Sequence, residues 1–167
     1  MSFVIRPATL ADIDPMFAIT CAVHQTPLYK KLIPASSYAR FLERYIPSKK
    51  RREAFIQKIK SRLSDRHWHL WVAEEDGAVR GFTFAHDAGE ELELRGLFVD
   101  EAYQGRGIGK RLFEISCEVA HPDQTITLDV LRANEHAIGL YERAGFHTVS
   151  EVPPTYYGAP MIRMQRH

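Results

Sequence analysis

Between Leu92 and Val99 the apolar positions change parity: Leu92 and Leu94 are even, Leu97 and Val99 odd. A strand that buries one face keeps one parity, so an extra residue is expected near Arg95-Gly96, a β-bulge. The competing account is a short strand of mixed burial. Other stretches read more simply. Phe3 to Arg6, Trp68 to Ala73, Val79 to Ala85, Thr125 to Leu131, Phe146 to Val152 and Met161 to Met164 read as strands, with Asp76-Gly77 as a hairpin signal. Helical spacing appears in Ile13/Met16/Phe17/Thr20, in Tyr38/Phe41/Leu42/Tyr45 (ended by Pro47) and in Phe55/Ile56/Ile59/Leu63. It recurs in Ile108/Leu112/Ile115/Val119 and in Ala137/Leu140/Tyr141/Ala144. Thr9 to Asp12 has the form of a capping box, and Pro15 suits the first turn of a helix capped by Asp14, which implies an irregular start. Strands and helices alternate after Val99, which predicts a mixed α/β sheet of six to seven strands flanked by helices, its fourth strand bulged.

The turn after that fourth strand is rich in glycine: Gln104-Gly105-Arg106-Gly107-Ile108-Gly109. Glycine lets backbone approach a ligand without Cβ clashes, and the helix that follows offers unpaired amides and a positive dipole end. Arg106, Lys110 and Arg111 add positive charge, so the turn has the chemistry of a pyrophosphate cradle. It is not a Walker A loop: the first glycine of that pattern would fall at Gln104, and position 111 is Arg. It also departs from a Rossmann fingerprint, because the third glycine comes one residue early and the preceding strand is the fourth.

Gln-x-x-Gly-x-Gly after a strand ending in Val resembles the acyl-CoA signature of the GCN5-related N-acetyltransferases (GNAT). A second stretch supports the resemblance. Asn134 is followed by Ala137, Tyr141 and Gly145-Phe146 at the family's spacing. By their own chemistry, Asn134 is a plausible N-cap and Gly145 suits the left-handed residue after the last turn. The resemblance runs from Ile5-Arg6-Pro7-Ala8-Thr9 to Met161-Ile162-Arg163-Met164 and is strongest from Glu93 to Phe146. It implies one N-acetyltransferase domain over residues 1–167, with 24–66 as a variable, substrate-side helical segment. It implies acetyl-CoA as co-substrate, with contacts from Leu97, Phe98, Val99, Gln104, Gly105, Arg106, Gly107, Ile108, Gly109, Lys110, Asn134, Ala137 and Tyr141. The bulge would free amides for the thioester and pantetheine.

Acetyl transfer to an amine requires a deprotonated amine, a polarised carbonyl and a stabilised thiolate. Backbone N–H groups near Leu97 to Val99 are candidates for an oxyanion hole. Tyr141 is the candidate acid, unless it is simply a core tyrosine. Glu93, six residues before Val99, is the candidate base, directly or through water; its other reading is a solvated strand face. Glu90, Glu91 and His86 are weaker bases, and Asp87, Glu90, Glu91 and Glu93 together form an acidic edge that could attract a cationic substrate. Direct attack is expected, although Cys117 stays open as a nucleophile. Tyr156 or Tyr157 would wall the acceptor pocket, or be exposed loop residues.

Composition narrows the partners. The chain has 167 residues, 22 basic and 21 acidic, so global charge does not point to nucleic acid or acidic membranes. No apolar run is long enough to span a bilayer, and no signal peptide is evident, so a cytoplasmic protein is expected. Cys21 and Cys117 read as free thiols in a reducing compartment. His67 and His69 flank Trp68 but lack further ligands at workable spacing, so no metal is expected. Residues 48–66 carry Lys49, Lys50, Arg51, Arg52, Lys58, Lys60, Arg62 and Arg66 against Glu53 and Asp65, either a solvated helix face or a surface for RNA or membrane. The expectation is acetyl transfer to an amine of a small molecule, by a monomer or homodimer. A protein N-terminus, another macromolecule, or a non-catalytic acyl-CoA sensor are the alternatives.

Overall fold

The computed structural model describes residues 2–153 and 158–167. Seven strands form one sheet: β1 (Val4–Pro7), β2 (Trp68–Glu75), β3 (Ala78–Asp87), β4 (Glu91–Val99), β5 (Thr125–Leu131), β6 (His147–Val152) and β7 (Met161–Arg166). Their order is β1-β2-β3-β4-β5-β7-β6. All neighbours are antiparallel except β4 and β5, which run parallel. The β2–β3 hairpin turns through Asp76 (φ 54°) and Gly77 (φ 73°), the two successive positive angles of a type I′ turn.

Helices cover both faces. α1 (Ile13–His24) and α4 (Lys49–Leu63) lie on one, where Met16, Ile59, Val72, Phe82 and Phe84 form a buried cluster joined by Phe98. α5 (Ile108–Glu118) and α6 (Glu135–Arg143) lie on the other, over Phe113, Ile126, Leu128, Val130 and Met164. Two short helices, α2 (Pro27–Leu32) and α3 (Ala35–Glu43), pack Leu32, Ile33 and Phe41 against Leu131 and Met161. They therefore cover the end of β5 on the α1 face.

Two local expectations need correction. Asp14 does not cap α1. A short 3-10 turn, Leu10–Asp12, precedes the helix, and Asp12 is its N-cap. The Asp12 carboxylate accepts from Thr9 N–H at 2.7 Å and forms a bidentate pair with Arg6, while Asp14 pairs with Arg52. Pro15 sits in the first turn, where it breaks no helical bond. On α6, Leu140 lines a groove, and Ile138 instead joins Ala137, Tyr141 and Ala144 on the core side.

Candidate active site

β4 departs from regularity where its parity changes. Against β3, Phe84 faces Gly96 but Ala85 faces Leu94, so Arg95 is the extra residue. Leu94 and Leu97 accordingly both reach the core under α5. Gly96 is needed here, since a Cβ would lie 2.8 Å from the Phe84 ring and 2.9 Å from that of Phe98.

The bulge coincides with a fork. β4 pairs with β5 only from Glu91↔Thr125 to Leu94↔Leu128. Beyond that point β4 remains paired to β3 as far as Val99, and β5 to β7 as far as Leu131. The two strands diverge, and a slot opens between residues 95–99 and 129–131. Backbone groups on its two rims lack the strand partner that would otherwise satisfy them.

At the head of the slot lies the glycine turn. Gln104 Nε2 donates to the Val99 carbonyl at 3.1 Å and ties the turn to β4. Gly105 and Gly107 adopt φ of 74° and 87°, which side-chain-bearing residues seldom tolerate. Gly109 is different: its φ is ordinary, and a Cβ would only touch Val99 at 3.5 Å. Arg111 N–H donates to Gly107 O, so the amides of Ile108, Gly109 and Lys110 precede the first intrahelical donor of α5 and have no partner within the helix. The Arg106 guanidinium lies 3.5 Å from the buried Glu75 carboxylate and over the Tyr103 ring, which spends part of its charge within the protein. Lys110 is exposed, 3.8 Å from Glu114. From Lys110 a groove of about 760 Å³ runs between α5 and α6, lined by Phe113, Cys117, Leu140, Arg143 and Arg166.

Tyr141 lies on the α5 face of the sheet. Its ring packs on Phe113 (5.4 Å between centroids) and Phe146 (6.2 Å). Burial, with a smaller contribution from Cys117, pushes its pKa up to about 12. The hydroxyl makes no hydrogen bond among the described residues, so its donor is available. Asn134 caps α6 as expected, its Oδ1 accepting from Ala137 N–H at 3.2 Å. Both cysteines are free, and burial raises the Cys117 thiol to about 11. At neutral pH it is not a thiolate, which argues against a nucleophilic role.

Glu93 lies on the opposite face. It accepts from His86 Nδ1 at 3.0 Å and from Arg95 at 2.5 Å. Burial raises its pKa, but these two hydrogen bonds outweigh burial and leave it below the ordinary glutamate value. His86 rests on Trp68, 4.6 Å between ring centroids. Asp129 on the far rim is held by Arg163 through two hydrogen bonds of 2.8 and 3.1 Å. The expected acidic edge is divided. Glu91 accepts from Thr127 at 3.3 Å, whereas Asp87 and Glu90 line a separate polar hollow with His121 and Asp123. Sequence reasoning missed Arg95 and Asp129 at this site, and it placed His86 without its link to Glu93. That pairing follows only from the cross-strand register, which depends on where the bulge sits. Tyr156 and Tyr157 lie outside the described residues.

Comparison with known proteins places the chain in a family. Residues 35–146 match the model of the acetyltransferase (GNAT) family. The chain belongs to that family. Among GNAT relatives, the N-alpha-acetyltransferase RimI of Mycobacterium tuberculosis is 33% identical over 111 residues, covering 62% of this chain and 69% of the relative. The peptidyl-lysine N-acetyltransferase YiaC of Escherichia coli is 38% identical over 79 residues, covering 47% of this chain and 50% of YiaC. The PaiA N-acetyltransferase of Thermoplasma acidophilum, solved with coenzyme A, superposes over 100% of both chains with a TM-score of 0.74. At 20% identity that likeness concerns the GNAT fold.

Proposed function

We propose that this GNAT protein transfers the acetyl group of acetyl-CoA to a primary amine of a polypeptide, by direct attack within a ternary complex. N-acetyl transfer is the chemistry of the family and of its named relatives. The observation that carries the mechanism is a slot in the sheet with Tyr141 on one face and Glu93 on the other. Acetyl-CoA lies on the α5–α6 side, its pyrophosphate on the amides of the turn from Gln104 to Lys110. Asn134 and Ala137 border the pantetheine from α6. The Asp100 amide bonds to Arg80 O on β3, so alternation turns the Phe98 amide to β3 as well and leaves those of Leu97 and Val99 on the rim to polarise the thioester carbonyl. The amine approaches from the α1 face, where Glu93 accepts its proton, directly or through water.

Tyr141 donates a hydrogen bond to the departing thiolate without surrendering its proton. With a pKa near 12 it lies about 3.5 units above an ordinary thiol, so full transfer would be uphill by roughly 5 kcal/mol. The polypeptide acceptor is supported by RimI and YiaC, whose names specify alpha-amines and peptidyl lysine. Small amines were the expectation from sequence, and they belong in the same assay.

The test measures CoA release with polyamines, amino acids, N-terminal peptides and lysine peptides. Turnover of peptides above free amines supports the reading; turnover confined to small amines refutes the acceptor class. Initial-rate lines that intersect indicate a ternary complex, and parallel lines an acyl-enzyme. Cys117→Ala should retain turnover.

A further inference from the structure

Charge is segregated along this chain. Residues 24–66 hold twelve Lys and Arg but only three Asp and Glu, a net of +9, while the remainder holds ten and eighteen, a net of −8; together they give the chain's +1. The positive segment is the one that flanks the acceptor face. At the end of α1, His24 touches the Phe98 ring of β4 (5.4 Å between centroids). Tyr45, just after α3, stacks on His24 at 3.7 Å, and Tyr29 of α2 lies 4.6 Å from it. Phe41 of α3 packs with Leu131 at the end of β5. The rings thus fix α2 and α3 beside the slot, and α4 continues the same basic segment over α1 and β2.

Lys30, Lys31, Arg40, Lys49, Lys50 and Lys60 are exposed, and none forms an ion pair among the described residues. α4 begins with Lys49, Lys50, Arg51 and Arg52 and has no acidic residue in its first turn; Arg52 is paired with Asp14, which leaves Lys49 and Lys50 exposed at the positive end of the helix dipole. That arrangement is unfavourable in the isolated chain and is relieved by an anionic partner. Two large apolar side chains stand exposed within the same field, Leu28 (48%) and Ile46 (50%). Apolar contacts ringed by cations suit a folded or peptidic partner better than a phosphate backbone, which offers no apolar counterpart.

We infer that the α2–α4 face docks an acidic stretch of the polypeptide acceptor, which holds the reactive amine at the slot. This rests on the polypeptide reading above. The amine binds beside Glu93, and the chain beyond it lies on the basic face, so the preferred acceptor has a free amine followed by Asp and Glu. The face adds association rate and selectivity, and the chemistry remains that of the slot.

The experiment compares two synthetic peptides with the same N-terminal residues, one continuing in Asp and Glu and the other in Gly and Ser. The acidic peptide should have the higher kcat/KM by about 10- to 1,000-fold at low ionic strength, and the advantage should shrink as salt rises. Lys30→Glu/Lys31→Glu/Lys49→Glu/Lys50→Glu alters four exposed positions. It should abolish the preference while leaving turnover of the neutral peptide unchanged and the melting temperature close to wild type. Equal rates for the two peptides, or a preference that survives in the variant, would overturn the docking surface alone. Turnover of small amines with no peptide acetylated would overturn the polypeptide reading itself. Binding of polyuridylate that is tighter than that of the acidic peptide and lost in the variant would reassign the face to nucleic acid.

Discussion

The hydroxyls of Thr83 and Ser116 meet at 2.9 Å beneath the bulge, in an otherwise apolar contact between β3 and α5. Thr83 also donates to the Gly96 carbonyl at 2.8 Å, and Ser116 lies 2.9 Å from the Leu112 carbonyl. Two hydroxyls, each nearly inaccessible to solvent, thereby link the irregular part of β4 to the helix that carries the glycine turn. A buried polar group needs such partners, because leaving one unpaired costs about 1–3 kcal/mol.

Thr83→Val keeps the shape and removes the hydroxyl, leaving the Gly96 carbonyl and Ser116 short of a partner. It should lower unfolding free energy by roughly 1–3 kcal/mol, and Ser116→Ala by a similar amount. The double variant should cost less than the sum, since the two act as one network. Strict additivity in chemical denaturation would show that the contact contributes nothing of its own.

Tyr141→Phe should reduce kcat by about 10²–10⁴-fold and leave the KM for acetyl-CoA nearly unchanged. The ring keeps its packing on Phe113 and Phe146, so the melting temperature should hold. Undiminished kcat, with chemistry shown to limit the rate, would make Tyr141 a packing residue.

Glu93→Gln should depress kcat/KM for the amine most at neutral pH, and progressively less as pH nears the amine's own pKa of about 10.4. A loss that is constant across pH would indicate attraction of a cationic acceptor instead. Stability carries a separate signature. Since the folded pKa of Glu93 is lowered, its contribution is complete above the ordinary glutamate value and disappears as pH falls through the folded one. Glu93→Gln should therefore flatten the acid limb of the stability curve and leave the neutral region's slope unchanged.

His24 gives a second acid response, at higher pH. Burial lowers its pKa to about 4, with its Nδ1 2.6 Å from the Thr20 carbonyl. The unfolded chain takes up a proton near pH 6.5 that the folded chain refuses until about 4. Stability contributed by neutral His24 is therefore complete above pH 6.5 and declines as pH drops toward 4, by at most roughly 3 kcal/mol. Thermal melts across that range should show the decline in the wild type and a weaker one in His24→Phe.

Much of this arrangement could be read from the chain, and the physical reasons differ by element. The bulge was legible because a parity change in a half-buried strand has few causes. The glycine turn was legible because positive φ and a helix start constrain residue type strongly. α2 escaped detection, since six residues are too short for a 3.6-residue period to emerge, although Thr26 before Pro27 is a start signal that could have located it. The ties of Glu93 to His86 and Arg95 were hidden for another reason. They depend on which residues face each other across strands, and a single inserted residue resets that pairing.

The fork in the sheet has a consequence for how such a protein can lose or keep its activity. The slot is a product of strand register rather than of any one side chain. On the proposed mechanism, substitutions at Tyr141, Glu93 or the turn grade the rate, but none of them closes the opening. A length change would do so. Deleting Arg95 would place Leu92, Leu94, Leu97 and Val99 on a single parity, the pattern of an uninterrupted strand able to zip onto β5 along its whole length. A chain shortened by that one codon could keep its core and its stability while losing the opening through which, on the proposed mechanism, donor and acceptor meet.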